Sequence, residues 1–301
     1  MIFLYIRGLF LESGTMKKLF LLLAISIAST ILGSATASAQ ENEKVVSGSI
    51  SFLVPSNMHM LDEYISNHMY TCSDLTTGWE VKLGALYKKH DNLSWDLYYK
   101  SFTSAKLANP ANSQYLEYDG YNFGYGTYYH WNIGKKLMIK TGGMADFYGA
   151  MKMGTPDGVN NAMNLEGQIM IKAHGAIKYG WDFKKWALDL HARVSLPVVG
   201  IMTGDHPSEP ALALVGNDHN ILTPAYRHIF LASYHNYMSL DYDMGIDFVC
   251  KPCTFTLGMG STSRCWNVYN VQNIRRINYI TLGVSFDLTF RSKFKSTNKN
   301  F

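Results

Sequence analysis

Along Leu165-Glu166-Gly167-Gln168-Ile169-Met170-Ile171-Lys172-Ala173-His174-Gly175-Ala176-Ile177-Lys178, apolar or small residues alternate with mostly polar ones. A period of two makes an extended strand with one apolar and one wet face. The run is longer than an ordinary strand of about 5–6 residues, and crossing a bilayer at a tilt takes about 9–11. It therefore predicts a membrane-crossing strand. Because the pattern recurs, the fold class is all-β: a closed antiparallel up-and-down transmembrane β-barrel of about ten strands, with twelve as the alternative count.

Working outward, strands are expected over residues 45–54, 79–87, 93–102, 121–131, 137–148, 186–198, 238–248, 254–263 and 277–290. Residues 229–234 belong to the strand at 238 or form one of their own. Pro55 is expected to end the first strand, residues 56–77 to form a long polar loop, and Trp266 to sit in the last loop. On this reading short turns near residues 90, 134, 182 and 251 alternate with longer loops near 66, 110, 156, 212 and 269, the rhythm of outer-membrane barrels. Trp95, Trp131, Trp181 and Trp186 fall near short turns, as a girdle at one interface would. The plainer account is that tryptophan favours strands. Gly124 and Gly126 on an inner face suggest crowding in a narrow barrel, or a bend.

Met16-Lys17-Lys18, the apolar run 19–32 and Ala37-Ser38-Ala39 read as a secretory signal peptide, residues 1–39, cleaved after Ala39. Residues 1–15 precede a better start at Met16 and suggest an over-long gene start. A retained anchor is the rival reading, but the run is shorter than the ~20 residues of a spanning helix. The barrel is assigned to residues 40–290 and a basic tail to 291–301. Charged residues make up 17% and aromatics 14% of the chain. The charged share lies below the about 25% of soluble chains, which fits a lipid-facing barrel. The net charge of +4 is scattered, so nucleic-acid binding is not expected.

A lipocalin-like barrel would turn its apolar face inward around a ligand. Two features favour lipid outside: the opposite face mixes ionisable with small residues, and the chain closes on an aromatic-rich strand. Phe301 is terminal and aromatic, though the basic tail separates it from Phe290. The partners expected are outer-membrane lipid, assembly machinery that reads the C-terminal strand, and an unidentified protein at the long loops. The orientation predicts that Ile171→Lys blocks assembly and that Lys172→Ile is tolerated.

Ser233-Tyr234-His235-Asn236 before an alternating strand with Asp247-Phe248, the glycine-rich strand near Asn270, the closing Ile280-Thr281-Leu282-Gly283-Val284, and Leu61-Asp62-Glu63-Tyr64-Ile65-Ser66 together resemble a domain-of-unknown-function family of outer-membrane barrel proteins from Gram-negative bacteria. The resemblance implies fold and location. It implies no activity.

His174, Asp189, His191 and Arg193, joined by Glu166, are expected to point inward from adjacent strands. They are weak candidates for an acid–base site. A polar plug of paired charges is the simpler reading. Asp241, Asp243 and Asp247 have cation-binding chemistry, yet pairing with interior Lys or Arg fits better. Asp205, His206, Glu209, Asp218 and His219 share the longest loop, where metal or substrate binding competes with a merely solvated composition. Cys250-Lys251-Pro252-Cys253 is a CxxC between two strands, outside the strand-to-helix context of a thioredoxin motif. A hairpin turn, with or without a local disulfide, fits better than redox function. Cys72 and Cys265, in loops brought together by closure, are candidates for a disulfide across the seam. No cofactor and no metal are expected. The leading function is an outer-membrane β-barrel with a filled polar lumen, structural or interaction-related. An outer-membrane enzyme (lipid-modifying hydrolase or protease) comes second and a small passive channel third.

Overall fold

The computed structural model describes residues 46–287, apart from 73–76, 88–89, 135, 155–162, 204–228 and 269. The signal peptide at 1–39, the tail at 291–301 and the loop candidates at 205–219 lie outside the described residues. Those residues form twelve strands: β1 (Val46–Asp62), β2 (Ser66–Cys72), β3 (Thr77–Tyr87), β4 (His90–Ala108), β5 (Tyr115–Ile133), β6 (Leu137–Gly154), β7 (Met163–Asp182), β8 (Ala187–Thr203), β9 (Ile229–Ala232), β10 (Tyr237–Cys250), β11 (Cys253–Val268) and β12 (Val271–Asp287). All pair antiparallel in one sheet, and β1 closes the ring on β12 from Ser47↔Asp287 to Asp62↔Asn273.

Two wall positions are shared. Along β1, β3 pairs with residues up to Leu53 and β2 takes over from Met58. Along β8, β10 pairs up to Ser195 and β9 from Gly200. Twelve strands less these two give ten around the wall, so both expected counts describe the same ring.

Alternation is the reason the sheet closes this way. On β7, Leu165, Ile169, Ile171 and Ile177 are exposed on the outer wall, while Glu166, Gln168, Met170, Lys172 and Lys178 are buried inside. The outward set on β8 (Leu190, Val194, Leu196) and on β10 (Met244, Ile246, Phe248) continues the apolar wall. Inside, tyrosine rings lie over glycines. A Cβ at Gly124 would meet the Tyr98 ring at 2.2 Å, and one at Gly126 the Tyr128 hydroxyl at 1.8 Å. Crowding, not bending, therefore explains these two glycines.

Several boundaries differ from those expected. Pro55 does not end β1: it pairs with Tyr279, in the interval between the β3 and β2 ladders, where its missing N–H breaks no pairing seen there. A bulge between Pro55 and Asn57 shifts the alternation, so that Leu53, Met58, Met60 and Asp62 all face inward. The expected loop at 56–77 is thus largely strand. Likewise β11 runs through Trp266 to Val268, which pairs with Val271 across a two-residue turn where Asn270 has φ 62°. The regular alternation of short turns and long loops does not hold at that end. Among the described residues, 109–114 is a loop-sized connection there, whereas 63–65 is a tight turn and Val268 pairs directly with Val271. We call it the long-loop end.

Candidate functional site

The lumen collects the chemistry. At the long-loop end an apolar plug fills it. Met58, Met60, Ile65, Tyr70, Leu107, Leu116 and Ile277 form one buried cluster, and Met170, Met202, Tyr237 and Trp266 a second.

Charges are sunk beside this plug. Lys152 Nζ donates to Asp62 at 2.8 Å, to Asn273 at 2.8 Å and to Glu166. Asn164 also donates to Asp62 at 2.7 Å, Asn273 donates to Glu166 at 2.9 Å, and the Tyr148 hydroxyl donates to Glu166 at 3.2 Å. Arg275 donates to the Tyr118 and Tyr148 hydroxyls. Arg264 stacks on Tyr148 at 3.9 Å and lies 3.6 Å from Asp146. Lys172 holds Asp146 and, at 2.7 Å, Asp241. Burying ions is costly unless each is paired and its remaining donors are satisfied; here amides and phenols take up most of those donors, while Nε of Arg264 and of Arg275 is buried without a hydrogen-bond partner.

Towards the short-turn end the pairs grow simpler. Glu80 takes Lys82 at 2.9 Å and Lys100 at 3.1 Å, and Arg193 donates to Asp243 at 2.7 Å. Lys178 meets Asp189 at 2.6 Å, and His191 lies 3.0 Å from Asp247 and 3.7 Å from Asp243. His174 Nδ1 lies 2.9 Å from Ser195 Oγ, its ring against Tyr128. Two cavities of about 70 Å³ each open here. The lower is lined by Ser49, Ser51, Thr254, Thr256 and Ser285 among the charges.

The five weak catalytic candidates do line the lumen, but they are dispersed. Glu166 belongs to the Lys152 cluster, Asp189 to Lys178, and Arg193 and His191 to the Asp243–Asp247 group. His174 contacts Ser195. Asp241 and Asp243 pair with Lys172 and Arg193, the kind of partner expected, whereas Asp247 meets His191 and not a Lys or Arg. No group of three or more His, Cys, Asp or Glu side chains arranged to hold a metal occurs among the described residues. Cys250 and Cys253 stand directly opposite across the β10–β11 turn. The Cys72–Cys265 pair is not brought together. Cys72 is on β2 and buried, Cys265 faces outward on β11, and β1 and β12 intervene. The expected tolerance of Lys172→Ile is corrected too, because its loss would strand Asp146 and Asp241.

Sequence reasoning missed Asp62, Asp146, Lys152, Arg264 and Arg275. Carrying the inward parity of β6 past Tyr148, through Ala150, finds Lys152.

An antiparallel ring with an apolar outer wall and a packed polar interior is the fold of outer-membrane β-barrel proteins. Within that class, the chain belongs to the family described as protein of unknown function (DUF3316), whose model matches residues 18–292. No curated protein matches it. Among solved structures it is similar to the outer membrane protease OmpT from Escherichia coli, with a TM-score of 0.41 and 7% identity over 83% of this chain and 100% of that one. It is also similar to the translocator domain of autotransporter NalP from Neisseria meningitidis, at 0.40 and 8% over 88% of this chain and 96% of that one. An outer membrane channel from Pseudomonas putida gives 0.38 and 10%, over 81% and 96%. These are likenesses of fold.

Proposed function

We propose that this chain is an outer-membrane barrel with a structural or interaction-related role, exercised at its outer wall and long-loop end and not through its lumen. The observation that carries this reading is the filled lumen: an apolar plug at the long-loop end, ion-paired layers below it, and cavities of only about 70 Å³ between them. A ten-strand ring is already narrow, since open aqueous pores are found at about 16 strands. In this reading residues 1–39 direct export and are removed, assembly machinery reads β12, and the long-loop end faces outward from the cell. Cys250 and Cys253, opposite one another at the short-turn end, would form a local hairpin disulfide in an oxidising periplasm.

Reconstitution in planar bilayers tests the proposal. The folded protein is expected to give a flat current trace. Discrete conductance steps from pure folded protein would replace the filled barrel with a channel.

A further inference from the structure

The outer wall is uneven in height. On β7 every outward position from Tyr179 to Leu165 is apolar or small. With about 3.3 Å per residue and a tilt of about 45°, that is a band roughly 35 Å tall. On β12 the outward apolar run is Phe286 to Ile280, and Asn278 and Arg276 follow. The same measure gives roughly 16 Å there. A barrel's lipid band is about 25 Å tall. The wall built by β6 to β9 therefore carries apolar surface that lipid does not reach. Its upper part is bare, with Ile229 50% and Leu231 61% exposed. Leu231 sits beside Ile201, and Ile201 beside Ile169, so the overhang is continuous with the lipid band.

We propose that a second copy of this chain docks on the β6–β9 wall, forming a two-fold dimer within the membrane. The inference deepens the interaction-related reading above and rests on the outer wall being lipid-facing. A membrane fixes which way up a barrel stands. A two-fold axis along the membrane normal then brings the same wall of both copies together at the same height. A tall wall is covered over its full height only by an equally tall one. Lipid would cover the lower part alone, and a soluble partner the overhang alone. Mid-wall, the outward side chains of Gly143, Ala173 and Gly175 are small, and Gly143 and Ala173 are register partners. Small residues let two membrane-embedded backbones approach closely. Strands β6, β7 and β8, about 4.8 Å apart and about 35 Å tall, with the four-residue β9 at their upper edge, present roughly 550 Å², about two thirds of the about 800 Å² per partner of a standard interface.

A photo-crosslinking residue placed at Leu165 or Leu231 in the full chain, irradiated in intact outer membranes, tests this, with Leu282 on the short wall as control. Leu165 and Leu231 are expected to give a product of twice the monomer mass, whose joined peptides both come from β6 to β9. Leu282 is expected to give none. Monomer alone, adducts to lipid, to another protein or to residues 204–228 of the same chain, or an equal yield from Leu282 would overturn the proposal. Leu231→Glu should keep heat-modifiable gel mobility and lower the Leu165 dimer yield about tenfold, which is 1.4 kcal/mol of association. A folded Leu231→Glu that dimerises fully refutes the interface. If the unaltered chain lacked heat-modifiable mobility, the barrel reading would fail instead, and the dimer with it.

Discussion

Lys152 in the upper lumen and Lys178 in the lower lumen are both lysines paired with carboxylates, yet their surroundings differ. Lys152 has 0% side-chain exposure and contacts Asp62, Glu166 and Asn273 under an apolar plug. Lys178 meets Asp189, with exposures of 8% and 10%, beside a cavity edged with Ser and Thr hydroxyls. Lys152, Asp62 and Glu166 have exchanged water for a network. The lower ones keep small polar neighbours and room for solvent. Dry networks are costly to break because a partner left behind stays ionised in a poor medium. The comparison implies that the upper lumen holds the barrel in register and the lower lumen tolerates change.

The largest expected effect follows directly. Lys152→Met strands Asp62 and Glu166, and removing one partner from a buried pair costs about 3–5 kcal/mol. Urea unfolding followed by tryptophan fluorescence should show it. Adding Asp62→Asn and Glu166→Gln to the same chain should restore most of the loss, since neutral amides need no counter-ion. If the single change costs no more than a lower-lumen one, the two halves are not different in kind.

The wall was legible in the sequence and the dry half of the lumen was not. Tyr179 to Leu165 declares its outward face by alternation alone, because one face meets lipid and the other does not. His174, Asp189, His191, Arg193 and Glu166 were placed inside by the same parity. What parity could not supply was which inward charges meet. Lys152 finds Asp62, separated by 90 residues in the chain, only because β1 continues past Pro55. Proline and the polar composition of 56–77 pointed to a loop, but a bulge absorbed the irregularity and kept Met58, Met60 and Asp62 inside. For the same reason Arg264 and Arg275 were out of view. The strands carrying them outlast the lipid band, and above it the outward face of β11 and β12 turns polar, so the two-sided contrast that marks a strand disappears. Cys72 and Cys265 differ from expectation for the same reason: both lie on strands that run past the apolar band, with β1 and β12 between them.

A middle-sized effect separates the halves by packing. The Tyr98 ring covers Gly124, and its hydroxyl donates to Asp146, so it cannot swing away without releasing an acceptor in the Lys172 network. Gly124→Ala should cost about 1–3 kcal/mol, the usual range for overpacking. Gly283 lies on the lower side. A Cβ there meets Ser51 Oγ at 2.6 Å and Thr256 Cβ at 3.3 Å, and the serine hydroxyl can rotate aside. Gly283→Ala should therefore cost less in the same urea titration. Equal midpoints for the two variants would mean that the upper lumen relaxes as readily as the lower.

The smallest effect is expected at Lys178. Without it Asp189 is left beside a cavity of about 70 Å³ whose lining includes Thr254, Thr256 and Ser285, and water can take the vacated position. A charge that water can reach once its partner is gone should cost less than the about 3–5 kcal/mol of a fully dry pair. Lys178→Met should thus shift the urea midpoint little at low salt, and adding salt should narrow even that gap, because solvent-reached pairs are screened and buried ones much less. Lys152→Met should show the contrary behaviour, a large gap that salt hardly changes. The salt series is the sharper measurement, since it asks whether water reaches each half and does not depend on how well either variant repacks.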